Sequence, residues 1–280
     1  VTAPPMAYYG GKTRLAAKIA ALLPAHEHYI EPFAGSLAVL LAKKPSRMET
    51  VNDLDGLLMT FWRVLRDKPD ELARVCALTP HSRAEYSAAR EADLDDLDDV
   101  ERARLIWVQI AQGRGGTLRK TGWRSYIDPA GCSSGMPRYL DGYVERMAVA
   151  AERLHQVSLE CRPALDIVKQ YGAYQDCCLY VDPPYLGSSR TDGGGTYRHE
   201  MKSRDEHLEL VWELLGCRAS VLLSGYPSDL YDDALRGWHR LEIPTMTGQS
   251  KTARARTEVI WSNRPISSQG AFNFTEEATA

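Results

Sequence analysis

Apolar and polar positions along this chain change period several times, and each change marks an element. Residues 13–23 are helical in composition and stop before Pro24. Residues 28–33, His-Tyr-Ile-Glu-Pro-Phe, read as a strand ending at a turn. Residues 34–44 are apolar and helical and stop at Pro45, and residues 48–53 form a second strand pattern. Strand, helix and strand at this spacing predict a βαβ unit and a parallel sheet.

From residue 55 to about residue 156 the strand signals fade. Residues 57–65 are helical. Asp95, Asp96, Asp98, Asp99 and Glu101 stand before the apolar Leu105-Ile106-Trp107-Val108, and acids suit the positive end of a helix. Residues 113–137 are polar, glycine-rich and basic, a long loop or hairpin that looks too polar for a core, and residues 139–155 are helical again. Strand patterns return at 157–161, 178–181, 219–224 and 257–262, with helical patterns at 164–171 and 204–215 between them. The expectation is an α/β catalytic domain built from residues 1–60 and 139–264. A mostly helical insert would occupy 61–138 and a flexible tail 265–280.

Composition narrows this little. The chain has 280 residues, 44% of them hydrophobic and 25% charged, which is ordinary for a globular protein of that size. A net charge of −3 gives no global attraction for nucleic acid, so any basic surface must be local. No apolar run is long enough to span a membrane. The six cysteines form no C-x-x-C pair, and the seven histidines show no ligand spacing. Buried free thiols in a reducing cytoplasm and no metal site are expected.

The chemistry concentrates at Asp182-Pro183-Pro184-Tyr185, directly after the apolar run 177–181. Neither proline can donate to a sheet ladder, so the strand ends there. A carboxylate, two bare carbonyls and an aromatic ring therefore meet at a strand's C-terminal end, where open α/β sheets bind ligands. Carboxylate and carbonyl both accept hydrogen bonds and can hold an exocyclic amine. The ring can stack on a flat heterocycle. That is equipment for methylating an amino group on a base, although a proline turn with a solvated aspartate would look the same in sequence.

Other stretches invite comparison with known chemistries. Tyr8-Tyr9-Gly10-Gly11-Lys12 lacks the early glycine of a nucleotide-triphosphate loop, where Met6 stands instead. It fits better as a glycine turn at a helix start, where N–H groups and Lys12 can meet a carboxylate. Glu31-Pro32-Phe33-Ala34-Gly35-Ser36 turns from the first strand into a helix, and Gly35 would let a ligand approach the backbone. It has too few glycines for a nicotinamide loop. Asp53 ends the next strand, where an acid can bind ribose hydroxyls. Arg114, Arg119, Lys120 and Arg124, interleaved with Trp123 and Tyr126, give the 113–137 loop a nucleic-acid-binding composition. Arg190 and Arg198, near Gly193-Gly194-Gly195, form a second basic run, and Lys251, Arg254 and Arg256 a third.

Taken in order, these stretches resemble the Dam-like N6-adenine DNA methyltransferases that carry the motif Asp-Pro-Pro-Tyr. The resemblance rests on Tyr8 to Lys12, Glu31 to Gly35, Asn52-Asp53, Asp182 to Tyr185, Leu222 to Tyr226 and Thr257 to Asn263. It implies a Rossmann-like sheet with S-adenosylmethionine as cofactor, held by Tyr8, Lys12, Phe33, Gly35, Asp53 and Asp182. It implies that Asp182, Pro183, Pro184 and Tyr185 are catalytic and act on a flipped adenine in double-stranded DNA. Arg114, Arg119, Lys120, Arg124, Arg190 and Arg198 would contact that DNA, with target recognition in the insert. A bacterial or phage-infected cytoplasm, a monomer and a cognate restriction endonuclease fit the same resemblance. An RNA base or a protein amide as substrate, or a catalytically silent DNA-binding relative, are the alternatives. One departure stands out. Leu37 occupies a position where the family often has a second glycine, which puts the fit at the methionine end of the cofactor in question.

Overall fold

The computed structural model describes residues 2–125, 135–185, 201, 203–246 and 255–266. Among these residues seven strands form one sheet in the order β3-β2-β1-β4-β5-β7-β6. They are β1 (His28–Glu31), β2 (Met48–Asn52), β3 (Val157–Glu160), β4 (Cys177–Val181), β5 (Ser220–Gly225), β6 (His239–Met246) and β7 (Ala255–Ser262). The first five run parallel, and β7 is antiparallel to both β5 and β6. The chain therefore builds outward from β1 to β3, then returns to lay β4 on the other side of β1. That reversal between β1 and β4 is a topological switch point, where a crevice opens at the strands' carboxyl ends.

Strand side chains alternate between two separate cores, as the pleat requires. Tyr29, Val51, Cys178, Tyr180, Leu222 and Ile260 face one core. Ile30, Leu179, Val181, Val221, Leu223 and Trp261 face the other. Both faces are covered, so β4 is buried at every position. On the first face lie α1 (Ala16–Leu22), α2 (Ala38–Ala42), α3 (Gly56–Asp67), α4 (Pro69–Ala77), α5 (Arg83–Glu91), α6 (Asp99–Ala111), α7 (Met136–Val144) and α8 (Met147–Leu154). On the second lie α9 (Ala164–Gly172), α10 (Arg204–Leu215) and α11 (Asp229–Ala234). Among the described residues no helix is long and apolar enough to cross a membrane.

Several helix ends follow from local chemistry. The acidic run before α6 ends in a cap, where Asp98 Oδ1 accepts from the N–H groups of Val100 and Glu101. Ser203 and Glu206 close a reciprocal capping box on α10. The pattern at 139–155 is two helices rather than one. The break falls where the Arg146 N–H bonds Tyr143 O in a tighter turn and its guanidinium reaches Pro4 O. Strand β6 is absent from the sequence reading because Pro244 interrupts its pattern. It is an edge strand, where proline is tolerated, with Pro244 exposed and Ile243 buried.

The basic loop after α6 is also more ordered than its composition suggests. Gly113 and Trp123 form an antiparallel bridge, and the Arg114 N–H bonds Gly122 O. Within this hairpin Thr117 and Leu118 are buried, and Leu118 joins the first core. The expectation that the loop stays out of the core fails for this part. The thiols of Cys76, Cys177 and Cys178 are free and buried, but Cys161 is exposed.

Leu37 answers the question raised by the missing glycine. It adopts the left-handed conformation, φ 55 and ψ 26, that a glycine would favour, so the loop keeps its shape. Its side chain is fully buried in the first core and does not line the adjoining cavity. The helix expected from residue 34 consequently starts only at Ala38. Replacing Leu37 with glycine relieves a backbone cost of about 1–2 kcal/mol but removes a buried side chain worth about 2–5 kcal/mol. Leu37→Gly should therefore lower unfolding free energy in urea, with S-adenosylmethionine affinity kept within about twofold, because Leu37 is no part of the cavity wall. An equal or higher stability would mean that the strain outweighs the packing.

Candidate functional site

A cavity of about 400 Å³ opens at the switch point. The turns after β1, β2 and β4 wall it, together with the glycine turn before α1 and the first residues of α9. Tyr8, Lys12, Phe33, Gly35, Asp53 and Asp182 all line it, so the structure brings these sequence-predicted residues together. Pro184 lines it as well, and Pro183 is buried behind it.

The strand ends are stitched by Asn52, which is fully buried. Its Nδ2 donates to Pro32 O at 2.9 Å and to Arg162 O at 3.0 Å, and its Oδ1 accepts from Arg162 N at 2.8 Å. The loops after β1 and β3 are thereby fixed to the end of β2. Asp53 is held next to it, with Oδ2 accepting from Gly35 N at 3.0 Å and Oδ1 from Asp55 N at 3.0 Å. Carboxylate oxygens can accept more than one bond, so Asp53 can still take ribose hydroxyls. Gly35 has φ +48, and a Cβ there would stand 3.4 Å from the Tyr8 ring. Glu31 is sealed below the loop, accepting from Tyr29 Oη at 2.6 Å and from Leu40 N at 2.9 Å. Burial pushes its carboxyl up to about 8, against those two hydrogen bonds.

The second half of the site is polar and buried. Lys12 Nζ lies 2.7 and 2.8 Å from the two Asp182 oxygens and 2.5 Å from Tyr185 Oη. Ser224, on β5, donates to Asp182 Oδ1 at 3.0 Å and shares a hydrogen bond with Tyr180 Oη. Glu258, on β7, places Oε1 3.5 Å from Lys12 Nζ, and both its oxygens lie 3.4 Å from Tyr185 Oη. Burial alone would lower Lys12, but Asp182, Tyr185, Glu258 and Tyr180 hold it well above the ordinary lysine value. Burial also keeps the Tyr185 phenol raised, hence neutral and able to donate. The Tyr185 ring stacks on Tyr226 with centroids 4.3 Å apart and planes 25° from parallel.

The basic residues divide differently. Arg114 and Lys120 are exposed on the hairpin, and Arg119 is half-buried. The Arg124 guanidinium sits 5.7 Å over the Tyr139 ring. Trp123 is clamped between the His81 ring at 4.5 Å and the Arg83 guanidinium at 4.8 Å. A backbone bond from Tyr9 N to Gly116 O, at 2.8 Å, ties the hairpin to the site. Arg190 and Arg198 lie outside the described residues, as do Lys251 and Arg254.

Sequence reasoning did not single out Asn52, Tyr180, Ser224, Tyr226 or Glu258 as site residues. Ser224 and Tyr226 carried a usable signal, since they end a strand on the edge where ligands bind. Glu258 carried a fainter one, as an acid inside the apolar strand 257–262.

Such a sheet, with a crevice at its switch point, is a Rossmann-like arrangement with its ligand site at the strands' carboxyl ends. The family of D12 class N6 adenine-specific DNA methyltransferases matches residues 8–247, and this chain belongs to it. It is 28% identical over 270 residues to the Type II methyltransferase M1.LlaDCHI of Lactococcus lactis subsp. cremoris, covering 91% of this chain and 93% of the relative. It is 26% identical over 270 residues to the DNA adenine methylase of Salmonella typhi, covering 93% and 88%. The chain is thus an S-adenosylmethionine-dependent DNA adenine methyltransferase. The RNA-base and protein-amide readings give way to DNA.

The Asn52 stitch yields a direct expectation. Asn52→Ala leaves buried partners at Pro32 and Arg162 unsatisfied, at a cost of about 2–4 kcal/mol. Urea unfolding should register that loss, and calorimetry should show weaker S-adenosylmethionine binding. A variant unchanged in both would show that the loops hold their places without Asn52.

Proposed function

We propose that this enzyme methylates an adenine flipped out of duplex DNA and that Asp182, Pro183, Pro184 and Tyr185 seat its amino group. The observation that carries this reading is a nitrogen already in that seat. Lys12 Nζ donates to both Asp182 oxygens, at 2.7 and 2.8 Å, and to Tyr185 Oη at 2.5 Å. An exocyclic amine needs the same kind of acceptor. The Asp182 carboxylate and the Pro183 carbonyl accept its two N–H bonds, drawing the nitrogen lone pair out of ring conjugation and fixing its direction. The two prolines restrict the backbone, so the carbonyl stays aimed. Tyr185 stacks on the base and Tyr226 continues the stack. The amine is out of reach inside a duplex, which is why the base must leave it.

S-adenosylmethionine supplies a methyl group on a positively charged sulfur. Asp53 holds its ribose hydroxyls, and Tyr8, Phe33 and Gly35 line its place in the cavity. Lys12 borders both ligands, lining the cofactor cavity and ending on Asp182. Positioning and fixed charge supply most of the rate. Asp182 is the nearest base for the proton that the methylated nitrogen must lose.

Target recognition falls to the helical segment 61–138. Arg114, Arg119, Lys120 and Arg124 contact DNA from the hairpin, with Arg190 and Arg198 as further contacts. The exposure of Arg114 and Lys120, and the tie between Gly116 and Tyr9, support this reading. Similarity to a Type II methyltransferase supports a cognate restriction endonuclease as partner. The enzyme acts as a monomer in the cytoplasm of a bacterial or phage-infected cell, where its DNA substrate lies.

Two variants should separate chemistry from cofactor binding. Asp182→Ala should lower tritium transfer to DNA by at least about 10²-fold even at saturating S-adenosylmethionine. Asp53→Ala should weaken that affinity by about 1.5–3 kcal/mol. An Asp182→Ala enzyme with near-wild-type turnover at saturating substrates would falsify the amine seat.

The hairpin arginines can be sorted by salt. Loss of a base contact costs about 1–3 kcal/mol and relaxes one position, whereas loss of a phosphate contact weakens all sequences alike and flattens the salt dependence. Among Arg114→Ala, Arg119→Ala, Lys120→Ala and Arg124→Ala, at least one should relax the methylated motif and at least one should change only the salt slope. Methylation of a randomised DNA library at two salt concentrations reads both. If all four keep the parental motif, rate and slope, recognition resides elsewhere.

A further inference from the structure

Lys12 faces two carboxylates and stands closer to one of them. Its ammonium is within 2.8 Å of both Asp182 oxygens, while Glu258 Oε1 stands at 3.5 Å. That separation allows charge attraction but not a good charge-assisted hydrogen bond. The side chains of Lys12 and Glu258 are 6% and 5% exposed. Two acids packed this closely in a buried site are unfavourable unless a cation serves both. Glu258 also sits on a firm support, because β7 is hydrogen-bonded to β5 on one side and β6 on the other.

The substrate nitrogen has to stand where the Lys12 ammonium now bridges the two Asp182 oxygens, and two nitrogens cannot share that place. The ammonium must then go somewhere, and its stem is enclosed. We propose that Glu258 is the second seat of Lys12: the adenine amine takes Asp182, and the ammonium moves onto Glu258. This rests on the reading of Asp182 as the amine's acceptor. The move is a rotation about the terminal bonds of the lysine stem that closes the 3.5 Å gap to Glu258 Oε1 and takes Nζ off the Asp182 oxygens. Afterwards each carboxylate has its own partner, Asp182 the neutral amine and Glu258 the cation. Tyr185 Oη, 3.4 Å from both Glu258 oxygens, stays between them. Glu258 never touches the substrate and is a positioning residue.

The electrostatics fit this exchange. Burial pushes the Glu258 carboxyl up to about 7, against the pull of Lys12. Among the described residues the titratable groups that face it are Lys12 from the glycine turn, Tyr180 on β4, and Asp182 and Tyr185 from beyond β4, while its ladder partner on β6, Ile243, carries none. An ammonium arriving on Glu258 favours its ionised form, so the seat works when Glu258 is deprotonated and is lost as pH falls through its range.

The test is single-turnover methylation of adenine-unmethylated plasmid DNA, with the full chain in excess over DNA and tritiated S-adenosylmethionine. No transfer by the wild type overturns the methylation reading and this inference together, whereas a defect confined to the variants bears on Glu258 alone. Glu258→Gln is expected to slow the single-turnover rate about tenfold or more at alkaline pH, with calorimetric cofactor affinity unchanged. The wild-type rate should fall as pH drops through about 7, and this limb should be missing in Glu258→Gln. In a Lys12→Met background there is no ammonium to seat, so adding Glu258→Gln should change the rate by less than about twofold. Should Lys12→Met transfer no methyl at all, the pH limb decides. A Glu258→Gln enzyme with the wild-type rate and pH limb overturns the proposal. So does an equal loss in the Lys12→Met background, or a fall in cofactor affinity that tracks the rate.

Discussion

The ion pair between Lys12 and Asp182 joins residues 170 positions apart and does so in a buried place. Taking an ammonium and a carboxylate out of water is costly, and the pair persists only because several partners share the charge. Asp182 offers both oxygens, Tyr185 offers a phenol, and Glu258 adds a second negative group. The glycine turn makes the approach possible. A Cβ at Gly11 would stand 2.9 Å from both Ser36 Oγ and Tyr8 O. The N-terminal segment therefore lies against the cofactor loop and delivers Lys12 to the carboxylate. The Asp182 carboxylate, proposed as the acceptor of the substrate amine, is held in place by a group of the protein's own.

The cofactor side is organised by hydrogen bonds between strand ends rather than by charge. Asn52 ties the loops after β1 and β3, and Asp53 holds the backbone of Gly35. The Trp62 indole reaches Gly35 O at 3.1 Å from α3. One helix of the first layer thus braces the same loop that the strand ends position. The layer is braced again where Arg153, on α8, meets Glu49 on β2, which is also bonded by Lys43. Buried acids of this kind are destabilising when left alone, so these contacts fix the helices on the sheet as well as stabilise them.

The hairpin after α6, proposed above to meet DNA, is joined to the glycine turn over a short backbone path. Gly116 O accepts from Tyr9 N, and Tyr9 precedes Gly10, Gly11 and Lys12. Leu118 anchors the hairpin in the core, and the His81–Trp123–Arg83 stack anchors its return strand. Exposed Arg114 and Lys120 are carried on a fixed base, as precise contacts to DNA require.

Much of this protein was legible in one dimension. The β1-α2-β2 unit, the all-apolar β4 and the proline stop after Val181 are local events, set by periodicity and by residues that cannot donate to a ladder. The cofactor loop, Asp53 and Asp182 were visible because strand ends in a parallel sheet face one edge. What the sequence could not decide were matters of distance. Nothing local says that Lys12 ends on Asp182, that Tyr226 stacks on Tyr185, or that Glu258 from an antiparallel strand closes the same cluster. The edge strand β6 was hidden by Pro244, and Leu118 by its polar neighbours, because tertiary pairing and packing outweigh local composition there. Leu37 shows both sides. Its identity marked a departure from the family pattern, but only the folded core could show that the backbone keeps a glycine-like turn while the side chain is buried away from the cavity.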